Sequence, residues 1–147
     1  MLSRTGEYAL RAVLYLANRA GAESVPAEDI ASAIRVPRNY LSKTLHRLAR
    51  RGVLASVRGP HGGFRLSRPA ASILVSDVVS EFDQTQSSNW CLMGNRPCDT
   101  TNPCAAHERW LEWTGYTKRA MDRTTIADLV NGNGVRNGHH VLEKQPA

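Results

Sequence analysis

The chain has 147 residues, of which 41% are hydrophobic and 22% charged, and its formal net charge is +6 at pH 7. This length suits one compact domain, or one small domain with an extension, and excludes two full domains. No run approaches the roughly 18 consecutive apolar residues of a membrane span, and the amino terminus lacks the apolar block of a secretory signal. We therefore expect a cytoplasmic protein without a membrane partner.

The basic charge is concentrated in the amino-terminal half. Residues 1–68 hold twelve Lys and Arg against four Asp and Glu, a net charge of +8, whereas residues 69–147 hold seven against nine, a net charge of −2. Nine of the basic residues lie between Arg35 and Arg68, a stretch without a single acid. This asymmetry is typical of a nucleic-acid-binding face, because a merely solvated basic surface usually has interspersed acids.

Two helices are predicted first. Apolar residues at three-and-four spacing predict an amphipathic helix over residues 5–20, with Thr5 as its amino-terminal cap. A second, short helix is expected to have Pro26 in its first turn and to end near Ile34. Two acids in its first turn complement the helix dipole. Pro37 then breaks the helix.

A third helix is predicted from about Arg38 to Arg50, with Gly52 as its stop. At 100° per residue, an apolar stripe that includes Leu41 lies on one side, and polar side chains lie about 140° to 200° from it. This opposite face consists of Asn39, Lys43, His46 and Arg50. Two short helices at a tight turn, the second with a cationic face, are typical of a helix-turn-helix whose second helix enters the major groove.

A hairpin is predicted after the third helix. The apolar period changes to about two, which predicts strands at 53–57 and 64–66 around a glycine-rich turn at 59–63. Arginines flank the tip, so the hairpin can follow a phosphate backbone or probe the minor groove. A helix-turn-helix with such a hairpin is a winged helix. The residues predicted to bind DNA are Arg38, Asn39, Tyr40, Ser42, Lys43, His46, Arg47, Arg50, Arg58, Gly59, His61, Gly62 and Arg65.

The second half holds a short apolar segment at 72–82, a polar loop at 84–103 and a predicted helix at about 105–121. One face of this helix carries Trp110, Trp113 or Thr114, Thr117 and Met121. Two tryptophans on so short a helix favour a homodimer seam over packing within the chain. A dimer is also expected because an operator with two half-sites is bound by two DNA-binding domains. Thr125 is the expected cap of a last short helix, and the tail from Asn131 is expected to be disordered.

Three cysteines and a histidine form a candidate ligand set. Cys91, Cys98, Cys104 and His107 follow one another with gaps of six, five and two residues. The odd number excludes a fully paired disulfide framework, and the crowding indicates a shared ligand role in a reducing compartment. Cys104 and His107 are expected on one face at a helix start. These residue types suit zinc or an iron-sulfur cluster alike, with unrelated buried cysteines and a helix-capping histidine as the alternative.

Four segments carry a family resemblance: LSRTGEYALRAVLYLA, SVRGPHGGFRLSRPA, PCAAHERW and TIADLV. Over about residues 1–131 the chain resembles the bacterial winged-helix iron-sulfur regulators typified by IscR and NsrR. The resemblance implies a homodimeric transcription factor whose cluster state sets which operators it binds. It also implies that Cys91, Cys98 and Cys104 are cluster thiolates, and that His107 completes a 2Fe-2S site. Glu7 falls where the NsrR type places a carboxylate ligand from the partner subunit.

The sequence thus predicts a mainly α protein with a small β-hairpin wing. A winged helix-turn-helix domain is expected over 1–82, a cluster-binding loop over 83–104, a dimerisation helix with a short final helix over 105–130 and a tail over 131–147. No catalysis is expected, since no nucleophile pattern or phosphate-cradling loop is present.

The predicted function is operator binding under control of an iron-sulfur cluster, with 2Fe-2S favoured and 4Fe-4S as the other form. His107 is favoured over Glu7 as the fourth ligand, because it lies close to Cys104 and because Glu7 also suits the dipole of its own helix. Two alternatives stay open. One is a DNA-binding regulator with a structural zinc site, and the other is an iron-sulfur electron-transfer or carrier protein.

Overall fold

The structure, a computed structural model, describes residues 2–19, 21, 23–83, 92 and 100–132. Within these ranges it is mainly helical, with one two-stranded antiparallel sheet, as the sequence predicts. The elements in chain order are α1 Arg4–Asn18, α2 Ala27–Ile34, α3 Arg38–Arg50, β1 Leu54–Val57, β2 Gly63–Leu66, a 3-10 turn Ala70–Ser72, α4 Val75–Val79, α5 His107–Met121 and α6 Ile126–Val130. None of the described helices is long and apolar enough to cross a membrane.

Helix α1 is capped by a different residue from the one predicted. Ser3 is the cap, and its Oγ accepts a hydrogen bond from the backbone N–H of Gly6 at 3.0 Å. The prediction of Thr5 as the cap is therefore wrong. Thr5 lies inside the helix, where its hydroxyl hydrogen-bonds the hydroxyl of Tyr40 on α3. A serine with extended backbone two residues earlier satisfies one of the orphan N–H groups instead.

Helices α2 and α3 form the predicted helix-turn-helix. Pro26 precedes α2 as its amino-terminal cap rather than lying in its first turn. Arg35 takes a left-handed φ of 56° and ends α2. Helix α3 has the predicted bounds, and Gly52 follows it with a positive φ of 74°. The leucine stripe of α3 is fully buried, which confirms the predicted packing face; it consists of Leu41, Leu45 and Leu48.

An isolated β-bridge attaches the wing to the segment before α2. Val25, just before α2, exchanges two backbone hydrogen bonds with Phe64 on β2, at 2.9 and 2.8 Å. The strict period of two that the sequence suggests for β1 does not hold. Val53 and Leu54 are both buried, whereas Val57 is 39% exposed, because only the start of the hairpin reaches the core and its tip extends beyond it.

The core is built around α1, which packs against α2, α3, α4 and α6. Helix α6 lies after α5 in the chain but returns to this core. Ile126 is fully buried, and its N–H donates to the carbonyl of Ile73 at 2.8 Å. The predicted cap is confirmed, since Thr125 Oγ1 accepts from the N–H of Asp128 at 3.1 Å. The backbone N–H and hydroxyl of Thr125 bind the Asp128 carboxylate in return and hold its pKa below the usual value.

Candidate nucleic-acid interface and cysteine segment

One side of α3 is left uncovered by the core. Because the leucines on the opposite side anchor the helix, its polar side chains face outward at fixed positions. The exposed residues are Arg38, Asn39, Tyr40, Lys43, His46 and Arg50, and two more, Ser42 and Arg47, are half-buried. All eight belong to the predicted DNA-binding set, so the structure leaves the predicted α3 face accessible.

The wing and α3 form one continuous surface. The ring of His46 on α3 packs edge-on against Phe64 of β2, with ring centroids 5.1 Å apart. Near the tip, Ser24 Oγ donates a hydrogen bond to the carbonyl of His61 at 2.8 Å. The tip residues Arg58, Gly59, His61 and Arg65 are exposed, and Gly62 is half-buried. The wing is therefore held beside the helix that would enter a groove.

Ion pairs divide the nine basic residues of the acid-free stretch into two groups. Arg38 pairs with Glu28, Arg68 pairs with Asp77, and Arg47 and Arg51 share Glu81. The others have no described acid within ion-pair distance; they are Arg35, Lys43, Arg50, Arg58 and Arg65. Four of these five lie on α3 and the wing, so the unpaired charge falls on the candidate DNA surface.

The acids that pair with Arg47, Arg51 and Arg68 were not predicted from the sequence. Asp77 and Glu81 are the first two acids after the acid-free stretch, which was the one signal available. A second missed contact joins α1 to α3. Tyr8 packs edge-on against Tyr40, with ring centroids 5.8 Å apart, and so holds Tyr40 at the amino-terminal end of the α3 face.

The cysteine segment is only partly described. Cys91 and Cys98 lie outside the described residues, so the predicted convergence of three thiolates stays a prediction. Cys104 is half-buried and precedes α5, whereas His107 is its first residue and is 7% exposed. Helix α5 begins two residues later than predicted, so Cys104 and His107 do not share a helical face. A turn joins them instead, in which the N–H of His107 donates to the carbonyl of Cys104 at 3.0 Å.

The other candidate fourth ligand lies in the first turn of α1. The side chain of Glu7 is 53% exposed, and its Oε1 is 3.6 Å from Nη1 of Arg11, one turn further along. This position agrees with an acid that complements the helix dipole. Among the described residues, which include one of the three cysteines, no group of three or more His, Cys, Asp and Glu is placed to hold a metal ion.

Helix α5 leaves large apolar side chains uncovered. Leu111, Trp113 and Tyr116 are 42%, 57% and 70% exposed, and among the fifteen residues of the helix only His107 is buried. Within the described chain α5 packs mainly against α4. Aromatic side chains of this size are seldom left in water along a whole helix. The predicted seam residues Trp110, Thr114, Thr117 and Met121 are likewise half-buried or exposed.

Comparison with known proteins identifies the family. The chain is 37% identical over 134 residues to a protein of Aquifex aeolicus named as an HTH-type transcriptional regulator, covering 89% of this chain and 92% of that one. It is 32% identical over 134 residues to the HTH-type transcriptional regulator IscR of Escherichia coli, covering 91% and 82%. The fold is similar to that of CymR, the global cysteine regulator of B. subtilis, with a TM-score of 0.74, 23% identity and coverage of 90% and 97%. The profile of Rrf2, described as an iron-dependent transcriptional regulator, matches residues 2–132.

These relatives are regulators and not enzymes, in agreement with the sequence prediction that the chain lacks catalysis. The winged-helix fold, the exposed cationic face of α3 and the relatives all lead to one assignment. The chain belongs to the Rrf2 family of winged-helix, DNA-binding transcriptional regulators.

Proposed function

We propose that the protein is a homodimer that binds duplex operator DNA under control of an iron-sulfur cluster. The observation that carries the proposal is the distribution of unpaired cations, because Lys43, Arg50, Arg58 and Arg65 lie on α3 and the wing. In this arrangement α3 enters the major groove, and its exposed polar side chains meet base edges. The wing lies along the backbone, where arginines bind phosphate.

Alanine at Lys43 or Arg58 should weaken duplex binding without affecting dimerisation or the metal site. Each side chain is exposed and has no described acid to pair with, so its loss removes a phosphate contact and leaves the core intact. We expect the salt dependence, log K against log salt concentration, to become shallower by about one unit for each charge removed. A titration of a fluorescent duplex at several salt concentrations measures this slope.

The matched control is Arg123→Ala in the turn between α5 and α6, which also removes one exposed cation without a described acid in ion-pair distance but lies outside α3 and the wing. Its salt slope should equal that of the unmodified protein. Unchanged affinity in both the Lys43→Ala and Arg58→Ala proteins would contradict the proposed DNA surface.

The proposed cluster ligands are Cys91, Cys98, Cys104 and, as the fourth, His107. The described part of this set is compatible with the group, because Cys104 and His107 supply a thiol and an imidazole from the two ends of one turn, which the backbone hydrogen bond between them closes. Thiolates are the usual ligands of iron-sulfur clusters, and an imidazole in place of one thiolate makes the site less negative. When bound, the cluster would supply a redox-sensitive and dissociable link. With the cluster bound, its ligands would restrain the cysteine loop and the relative orientation of the two winged-helix domains. Operator affinity would therefore depend on the state of the cluster.

Anaerobic purification tests the cofactor. We expect a coloured protein that contains iron and sulfide, and we expect Cys104→Ala to lose most of the visible absorption, because no neighbouring oxygen ligand replaces a thiolate well. Glu108→Gln is the control, since it changes an exposed residue next to His107 and should keep the spectrum. A colourless protein with zinc would contradict the cluster and favour the structural zinc alternative.

The electron-transfer or carrier alternative predicts no salt-sensitive duplex binding, and the family assignment already favours regulation. The dimer part of the proposal rests on the uncovered aromatic side chains of α5. A self-complementary seam along this helix would bury them and would place two α3 helices on one operator.

A further inference from the structure

One carboxylate, that of Glu81, binds two arginines at the edge of the DNA-reading helix. Arg47 donates to Glu81 Oε1 from Nε at 3.1 Å and from Nη2 at 2.9 Å, and Nη2 also donates to the Glu81 carbonyl at 2.9 Å. Arg51 Nε lies 3.1 Å from the other oxygen, Oε2. The guanidinium of Arg47 also lies over the ring of Phe82, 4.7 Å from its centroid. Arg47 is therefore held on three sides by two consecutive residues that follow α4.

The held arginine adjoins the unpaired cations of α3. At 100° per residue, Arg47 lies about 40° around the helix from Lys43 and about 60° from Arg50. The Arg47 side chain extends toward the segment that follows α4, where Glu81 binds its guanidinium. Arg51, the residue that caps α3, lies on the same flank.

We propose that Glu81 is a specificity-determining residue for DNA binding. By holding Arg47 and Arg51 it withholds two cations from phosphate and fixes the carboxyl-terminal half of α3 against the end of α4. Contacts with base edges discriminate between sequences and hold α3 in one pose, whereas phosphate contacts carry no sequence information and can form in many poses. Arginines released from Glu81 would therefore gain more phosphate contacts on a mixed-sequence duplex, where no base contact fixes α3, than on a selected duplex.

The geometry of this pair distinguishes it from a fortuitous surface contact. The Glu81 side chain is 24% exposed; its Oε1 accepts two hydrogen bonds from Arg47, and its Oε2 forms an ion pair with Arg51 at 3.1 Å. The pair between Arg38 and Glu28, also on α3, has one contact at 3.6 Å with side chains 65% and 68% exposed. Charge-assisted hydrogen bonds that are partly shielded from water are stronger than single exposed pairs. DNA would therefore displace Glu28 from Arg38 more readily than it would displace Glu81 from Arg47.

Glu81→Ala tests the proposal with two probes. The first is a mixed-sequence duplex of about 30 base pairs, and the second is a duplex selected by the unmodified protein from a random library. We expect the variant to bind the mixed-sequence duplex about three to ten times more tightly, with a salt slope steeper by about one to two units. The ratio of the two affinities, which measures specificity, should fall. Asp122→Ala is the control, because it removes an equal charge from the ion pair with Lys118 at the end of α5.

Two further variants test whether the effect of Glu81→Ala comes from the release of Arg47 and Arg51. Glu81→Gln keeps an acceptor but loses the charge, so it should fold and steepen the slope by about one unit even if Glu81→Ala is unstable. Adding Arg47→Ala and Arg51→Ala to Glu81→Ala should abolish the gain on mixed-sequence DNA. An unchanged slope in both Glu81 variants, an equal gain in Asp122→Ala, or a gain that persists in the triple variant would each overturn the proposal. Failure of the unmodified protein to bind either duplex would instead contradict DNA binding on this surface.

Discussion

Glutamate at both Trp113 and Tyr116 should convert the protein into a monomer. These side chains are 57% and 70% exposed in the single chain, so they contribute little to its own core, but they would lie in a desolvated seam if α5 pairs with a second copy. Four buried carboxylates in such a seam have no partner charge, and burying an unpaired charge costs several kcal/mol. Sedimentation equilibrium should report a mass near 16.2 kDa, the mass of one chain.

The same variant should lose most of its affinity for a two-half-site duplex. Two linked DNA-binding domains bind about 10²- to 10⁴-fold more tightly than one domain, and a monomer loses this gain. Its binding to a single half-site should stay nearly unchanged, because α3 and the wing are not altered. Phenylalanine at both positions keeps an apolar aromatic ring and serves as the matched control, which should remain a dimer. A dimer of unchanged stability in the glutamate variant would show that the seam lies elsewhere.

His107→Ala should remove or strongly alter the visible spectrum, whereas Glu7→Ala should leave it intact. His107 begins α5, and its backbone N–H donates to the carbonyl of Cys104 at 3.0 Å. A cluster bound by Cys104 would therefore lie near His107 without any contribution from a distant helix. Glu7 lies in the first turn of α1 beside Arg11 and would have to be delivered from another helix. Anaerobic absorption spectra, with iron and sulfide contents, compare the two variants directly.

A third variant controls for the cavity that alanine leaves at a buried position. His107→Cys restores a soft ligand, so it should recover a coloured protein with a lower reduction potential, since a thiolate adds negative charge to the site. A merely structural role for His107 would give no such shift in potential. A wild-type spectrum in His107→Ala together with loss of colour in Glu7→Ala would make the assignment wrong and favour the NsrR-like carboxylate arrangement. Perturbation by both variants would contradict a single fourth ligand.

Local signals in the sequence were enough to predict most of the helices. The bounds of α3 follow from its leucine spacing and from Gly52, and the cap of α6 follows from Thr125 and the acid three residues later. These features depend on hydrogen bonds and packing directions within one or two turns, which neighbouring residues determine. The failures of this kind are shifts of one or two residues: Ser3 rather than Thr5 caps α1, Pro26 precedes α2, and α5 begins at His107.

The candidate DNA-binding surface could be predicted in part from the sequence, and the rest required the tertiary structure. The acid-free stretch from Arg35 to Arg68 by itself determined that a cationic, DNA-binding half exists. Only the tertiary structure decided which of its charges remain unpaired, because Glu81 lies 34 residues from Arg47 in the chain and meets it only when α3 and α4 both pack against α1. Tertiary packing likewise buries Ile126 in the core and leaves Trp113 exposed to solvent. Such contacts join residues distant in sequence, and their free energy depends on how whole helices pack rather than on any local pattern.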